Sequence, residues 1–216
     1  MSWIEFNNLN SDEIFGDNLV ITKRVIGTPT PKTYTVEVPF SSNIIDYSFI
    51  NGPIFNSRPI ELSINIEGHD RSDMYKLYQR VIQWLLTPKY SKLKLSDVDG
   101  YFMAKLGSIS KLEEVSYTGN IDINFTCNPW LYYEDIEIRN IFNKNDFLFL
   151  EGSFMPSTPT LIASNVCNIE FEGKIYKLLK GENKNFDIVF KDGLNELKLV
   201  TDGPIDLTIN YKRGGL

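Results

Sequence analysis

Hydrophobic and polar residues alternate along several short segments of the chain, which is the pattern of strands that bury one face. In the segment around Ile64, for example, every second residue is apolar and the residues between are polar. The clearest segments of this kind lie at residues 34–38, 60–66, 121–127, 186–190 and 205–211. Further strands are expected at residues 93–95, 100–109 and 113–125. The pattern therefore predicts a protein that is mainly β.

One segment, residues 72–88, has a helical period instead. Its apolar residues recur at steps of three and four along one face, and they are Met74, Leu77, Tyr78, Val81, Ile82 and Leu85. Ser72 is the expected N-cap, Asp73 suits the positive end of the helix dipole, and Pro88 cannot continue the hydrogen-bond ladder. We therefore predict a single helix of about four turns that packs on a sheet.

The strand at residues 118–128 runs directly into Pro129 and a cluster of aromatic residues. Three explanations are open: a metal held through Cys127, a platform that stacks on sugars, or the end of a folding unit. Proline donates no hydrogen bond to a sheet, which favours the end of a unit at Pro129. On this interpretation Trp130, Tyr132 and Tyr133 lie at a domain joint or subunit interface. We predict two domains, residues 1–133 and 134–216, and the short strands of the second favour a small β-sandwich.

Composition narrows the classes of function. The 216 residues are 42% hydrophobic, which is sufficient for a substantial core, and the formal net charge of −6 argues against a protein that grips nucleic acid phosphates. The N-terminal residues lack the pattern of a secretory signal, and no apolar run has the roughly 18 residues that span a membrane. We therefore expect synthesis and folding in the cytosol and no membrane insertion.

Motifs for catalysis or for cofactor binding are missing from the sequence. Cys127 and Cys167 each lie in an apolar alternating stretch, so two buried free thiols are expected. His69 is the single histidine, and it is expected in a loop or at a helix entry rather than in a metal site. No phosphate-binding glycine loop and no nucleophile elbow occurs, and the paired carboxylates lie in polar turns. We expect no enzyme activity, no cofactor and no metal.

Five stretches of the first half are informative about family membership through their order and spacing. They are IEFNNLNSDEIFGDNLVITK, NSRPIELSINIEG, VIQWLLTP, KLKLSDVDGYFMAKL and INFTCNPWLYY. Taken together they resemble the distal tail proteins (Dit) of long-tailed, non-contractile bacteriophages and prophages. In the second half, GSFMPSTPTLIA, FKDGLNELKLVTDG and LTINYKR resemble the galectin-like sandwich of the same family. The resemblance implies an N-terminal, tail-tube-like domain that forms rings, followed by that sandwich.

The resemblance also implies a function as a structural hub. Six copies would form a ring at the virion tail tip, assembled in the cytoplasm of the bacterial host. The implied partners are the tail-tube protein, the tape-measure protein and a tail-tip or tail-associated lysin protein, with a receptor-binding protein at the periphery. DNA would pass through the lumen without specific binding.

The strands near residues 18–26 and 113–126 are the hypothesised sheet edges through which copies pair, with Val20 and Thr22 in the interface. The competing class is a carbohydrate-binding β-sandwich module that acts in attachment to the host surface. A sugar platform at Trp130, Tyr132 and Tyr133 belongs to that alternative. Residues 136–216 are barely enough for one small sandwich, which argues against an inserted host-binding module.

Overall fold

The alternation at residues 60–66 and 121–127 becomes two adjacent strands in the structure. The computed structural model describes residues 3–37, 44–46, 54–201 and 203–216. By its contacts the chain divides into two units, Met1–Pro129 and Trp130–Leu216. Each unit is described by itself.

The strands of the first unit are β1 (Ile4–Phe6), β2 (Leu9–Asn10), β3 (Leu19–Ile26), β4 (Thr35–Glu37), β5 (Ile44–Asp46), β6 (Arg58–Glu67), β7 (Ser91–Leu95), β8 (Tyr101–Ile109), β9 (Glu113–Val115) and β10 (Thr118–Tyr132). The last strand, β10, continues three residues into the second unit. In the main sheet the order is β2-β1-β7-β8-β10-β6-β3, β9 pairs with β10, and β4 and β5 form a separate hairpin. The predicted strand at residues 34–38 is β4, and its Val38 lies outside the described residues.

Residues facing one another across β6 and β10 form the centre of the first core. Ile64 lies opposite Ile121, and Ile60 lies opposite Phe125, with all four side chains buried. The ring of Phe6 on β1 lies 5.0 Å from that of Phe125. Burial of such side chains stabilises the unit by roughly 1.5–3 kcal/mol each.

The predicted helix forms, with bounds shifted to α2 (Arg71–Leu85). The prediction of Ser72 as N-cap was wrong: the carboxylate of Asp70 accepts from the backbone N–H of Asp73 at 2.8 Å. Asp73 in turn accepts from the backbone N–H of His69 at 3.1 Å, so the two carboxylates satisfy donors reciprocally. The helix ends three residues before Pro88, because residues that precede a proline leave the helical conformation.

The buried face of α2 includes Trp84, which was not among the residues predicted to lie on that face. Trp84 is 7% exposed, and its indole N–H donates to the carbonyl of Phe6 at 3.0 Å. Its ring also lies 5.6 Å from that of Phe15. Phe15 ends a short helix, α1 (Ser11–Phe15), so the prediction of a single helix was wrong. This five-residue element is too short to give a periodic signal.

The strands of the second unit are β11 (Ile136–Phe142), β12 (Phe147–Glu151), β13 (Thr160–Ala163), β14 (Cys167–Phe171), β15 (Lys174–Leu178), β16 (Gly181–Lys184), β17 (Leu194–Leu199), β18 (Ile205–Tyr211) and β19 (Gly214–Gly215). Eight of them form one sheet in the order β11-β18-β13-β16 and another in the order β12-β17-β14-β15, while β19 pairs with residues 131–132 of β10. Both sheets contribute side chains to one buried cluster, which includes Leu150, Phe190 and Ile209. The predicted β-sandwich is confirmed.

Two predictions about strands were wrong. Residues 186–190 form a turn and an isolated bridge between Ser157 and Phe190 instead of a strand. In addition, β10 does not end at Pro129 but continues to Tyr132. Beyond Cys127, β10 no longer pairs with β6, because the register of the two strands ends at Arg58, so Pro129 does not interrupt that ladder. The side chain of Arg58 donates to the carbonyl of Pro129 in place of a strand.

Candidate assembly surface

Strand β3 lies at one end of the main sheet, and no further described strand lies beyond it. It pairs with β6 along its other side, from Leu19 opposite Ile66 to Ile26 opposite Ile60. Val20 is 44% exposed and Val25 is 41% exposed, although valine is usually buried. The prediction that residues 18–26 form a sheet edge agrees with this position. Such an edge offers unpaired backbone donors and acceptors together with apolar side chains.

A β-bulge interrupts this edge at Thr22. Ile21 lies opposite Ile64 and Lys23 lies opposite Ser63, which leaves Thr22 as the extra residue. The Thr22 hydroxyl donates to the backbone carbonyl of Ser63 at 3.1 Å. Because a bulge breaks the regular row of edge groups and increases the local twist, it restricts which partner strand can pair here.

Arg24 ties the edge strand to a distant turn of the same unit. Its guanidinium forms two hydrogen bonds with the carboxylate of Asp97, of which Nη2 to Oδ2 measures 2.7 Å. Asp97 follows β7, which lies near the other end of the sheet order, so the sheet must curl to bring the two together. Hydrogen bonding from Arg24 lowers the pKa of Asp97, although burial acts in the opposite direction. This pair leaves no pattern along the sequence, because its members lie 73 residues apart.

A polar groove of about 310 Å³ adjoins the bulge. It is lined by residues that include Lys23, Glu61 and Asp122, with Ser63 donating to the Asp122 carboxylate at 2.6 Å. Neighbouring strands thus place two acids and one base beside the exposed edge. Complementary charge on an incoming chain would fix its register here.

The second hypothesised edge was largely wrong. Residues 118–126 of β10 lie inside the sheet, between β8 and β6. Only β9 (Glu113–Val115) lies at a margin, and it pairs with residues 118–120 of β10. Alternation signals a strand with one buried face, but it is the same for an edge strand and a central one.

The three aromatic candidates lie in the second unit, whereas Val20 and Thr22 lie in the first. Trp130, Tyr132 and Tyr133 are each half-buried. The ring of Trp130 packs edge-on against Phe154 at 6.2 Å, and the backbone N–H of Tyr133 donates to the carbonyl of Arg213 at 3.0 Å. The cluster is therefore part of the packing of its own unit, which weakens its interpretation as an open sugar platform.

The candidate reactive side chains of the chain are one histidine and two cysteines. His69 is exposed and directly precedes the cap of α2, the helix-entry position that was predicted. Cys127 and Cys167 are buried free thiols, as predicted. Burial raises the pKa of Cys127 to about 12 and also raises that of Cys167, so neither thiol ionises at neutral pH. Among the described residues, no three His, Cys, Asp or Glu side chains are grouped to hold a metal ion.

No helix in the described part of the chain is long and apolar enough to cross a membrane.

The whole chain is similar in fold to a phage tail protein. Its structure matches the Dit protein (gp 19.1) of phage SPP1 with a TM-score of 0.73 and 10% sequence identity, over 100% of both chains. That protein is described as a paradigm of the hub adsorption apparatus in phages that infect Gram-positive bacteria. No protein-family model matches the sequence, and no curated protein matches it.

Two further structures match less closely. One is the phage P2 baseplate in its activated conformation with Ca, at a TM-score of 0.52 and 8% identity, over 100% of this chain and 99% of the other. The other is the phage p2 baseplate with Sr, at a TM-score of 0.50 and 9% identity, over 97% and 98% of the two chains. The chain thus has a Dit-like fold along its length, and the fold predicted from the sequence resemblance is confirmed.

Proposed function

We propose that the protein is a structural component of a bacteriophage or prophage tail tip, where copies of the chain form a ring. The observation that carries the proposal is the fold match to SPP1 Dit, which extends over the full length of both chains. A match to one unit alone would be compatible with many functions, because β-sandwiches are widely reused. A match that includes both units in the same order is compatible with far fewer functions.

The exposed edge β3 is the surface through which the ring would close. A head-to-tail contact between copies is heterologous, and it leaves no free edge when the rotation closes. The contact would cover Val20 and Val25 and would satisfy the backbone groups of β3. The bulge at Thr22 and the charges of Lys23, Glu61 and Asp122 would select a neighbouring copy over an unrelated strand. Trp130, Tyr132 and Tyr133 remain candidates for a domain or subunit contact.

The ring would join the tail tube to the tip of the virion. Its partners would be the tail-tube protein, the tape-measure protein, a tail-associated lysin or other tail-tip protein, and a receptor-binding protein at the periphery. The net charge of −6 supports a lumen through which DNA passes without adhering. Assembly would take place in the host cytoplasm before the particle is released.

The test is the mass of the purified chain, measured by size-exclusion chromatography with light scattering and by electron microscopy. We expect a species near six subunits with a central hole, at the highest attainable protein concentration. The Val20→Lys variant should shift the population toward monomer, because a charge would be buried at the contact. Val166→Lys is the matched control, since Val166 is 51% exposed and lies in the second unit rather than on β3. A chain that stays monomeric alone and with its tail-tube protein would contradict the proposal.

A further inference from the structure

Phe186 is an aromatic residue that the fold turns outward. Strict alternation would place it on the same face as Ile188 and Phe190, which are both fully buried. Instead Phe186 is 78% exposed. The side chain of Asn185 accepts from the backbone N–H of Asp187 at 3.0 Å, and the carbonyl of Asn185 accepts from Ile188 at 3.1 Å. This Asx turn presents Phe186 at its tip.

A cleft of about 450 Å³ lies beside Phe186 within the second unit. Its lining combines apolar residues with polar ones, and the polar ones include Lys184, Thr158, Thr160, Asn210 and Lys212. The pairing of strands orders three of these residues in one row, because Lys184 lies opposite Thr160 and Thr160 lies opposite Asn210. An aromatic face and a line of hydrogen-bonding groups therefore meet in one concave site.

Hydrogen bonds of the backbone and of the Ser157 hydroxyl hold the walls of the cleft. Ser157 and Phe190 exchange two backbone hydrogen bonds, at 3.0 and 2.8 Å. The Ser157 hydroxyl also accepts from the backbone N–H of Lys212 at 3.2 Å. Because Ile188 and Phe190 are buried, they anchor the turn that carries Phe186. The site is thus formed in advance, and little ordering is needed when a ligand enters.

Two of the polar groups have hydrogen-bonding atoms that no described residue uses. Lys184 is exposed and forms no ion pair with any described residue, so its ammonium has three donors available. The side-chain oxygen of Asn210 is buried and has no hydrogen-bond partner among the described residues. A buried acceptor without a partner is unfavourable, so a ligand that reorients this amide would supply the missing hydrogen bond.

We propose that this cleft is a saccharide-binding subsite. The Phe186 ring would stack on the apolar C–H face of one sugar ring, and the row from Lys184 to Asn210 would hydrogen-bond its hydroxyls. Sugars combine an apolar face with a rim of hydroxyls, which is the combination the cleft offers. A role in forming a ring requires no such site, so the inference goes beyond the proposed function.

The experiment is a titration of the full chain with three soluble probes: maltotriose, chitotriose and a tetrasaccharide of hyaluronan. Binding is followed by NMR shifts and by isothermal calorimetry. We expect at least one probe to bind with a millimolar or tighter dissociation constant and to perturb residues that line the cleft. Phe186→Ala should weaken that binding by about fivefold or more, and Lys184→Met should weaken it as well.

Phe149→Ala is the matched control. Phe149 is 59% exposed, but it lies on β12 in the other sheet and does not line the cleft. It should leave binding unchanged. Failure of all three probes to bind, or binding that survives Phe186→Ala, would overturn the inference. Light scattering on the same samples measures ring assembly separately. A failure of saccharide binding therefore does not count against ring assembly, and a failure of ring assembly does not count against saccharide binding.

Discussion

Arg24 and Asp97 lie 73 residues apart in sequence, yet the guanidinium of one forms two hydrogen bonds with the carboxylate of the other. The pair joins the edge strand β3 to the turn after β7. It therefore helps to hold the edge in the position from which it would meet another copy of the chain. Its energetic contribution is limited by solvent, because the Asp97 side chain is 59% exposed.

Asp97→Asn should lower the free energy of unfolding at neutral pH. The pKa of Asp97 is lowered from its ordinary value of 3.8 in the folded state, so its contribution is present above that value and is lost as the pH falls through the folded pKa. The difference between wild type and variant should therefore disappear at strongly acidic pH. Urea unfolding at a series of pH values measures this effect. Asp99→Asn is the control, since it removes the same charge from the same turn without breaking an ion pair.

Both cysteines should resist a thiol reagent while the protein is folded. The reactive species is the thiolate, and burial raises the pKa of Cys127 to about 12 and keeps reagent away from both residues. Absorbance after addition of Ellman's reagent should show two thiols only when denaturant is present. Rapid labelling of Cys127 in the native protein would mean that the β6–β10 core opens easily.

Trp84→Phe should destabilise the first unit by about 1–3 kcal/mol. The indole N–H of Trp84 donates to the carbonyl of Phe6, and phenylalanine would remove this buried hydrogen bond together with part of the packed ring. Thermal unfolding of the variant measures the loss. Tyr75→Phe on the outer face of the same helix removes a hydroxyl that bonds to Glu114 near the surface, and it should cost much less.

Gly152→Ala should destabilise the second unit by about 3 kcal/mol or more. A Cβ at this position would lie 1.9 Å from the carbonyl oxygen of Lys191, which is backbone and cannot move aside cheaply. Gly173→Ala is the control, because it introduces backbone strain without a steric clash. Gly173 has a φ of +74° and no atom within 4 Å of a new Cβ, so only about 1–2 kcal/mol is expected there. Similar losses for the two variants would show that the turn at Gly152 relaxes.

The long alternating strands were predictable because each buries one face, and burial leaves a period of two in the sequence. That period alone predicts the burial of four central core residues, which are Ile60, Ile64, Ile121 and Phe125. At residues 186–190 the same rule failed, because the Asn185 side chain forms a turn that reverses the orientation of Phe186. The cap of α2 was missed for a related reason: both Asp70 and Ser72 are suitable caps, and the reciprocal bond to Asp73 favoured the first.

Patterns in the sequence were sufficient to predict most of the long strands and helix α2, which of their faces are buried, and the resemblance of the fold to Dit proteins. These properties depend on local periodicity and on the order of segments. The folded chain was needed to show that β3 is an edge while β10 is central, that Arg24 reaches Asp97, and that Phe186 lies beside a cleft with polar groups. Those relationships join residues that are distant in sequence, and the pairing of strands leaves no mark in the period of any single strand.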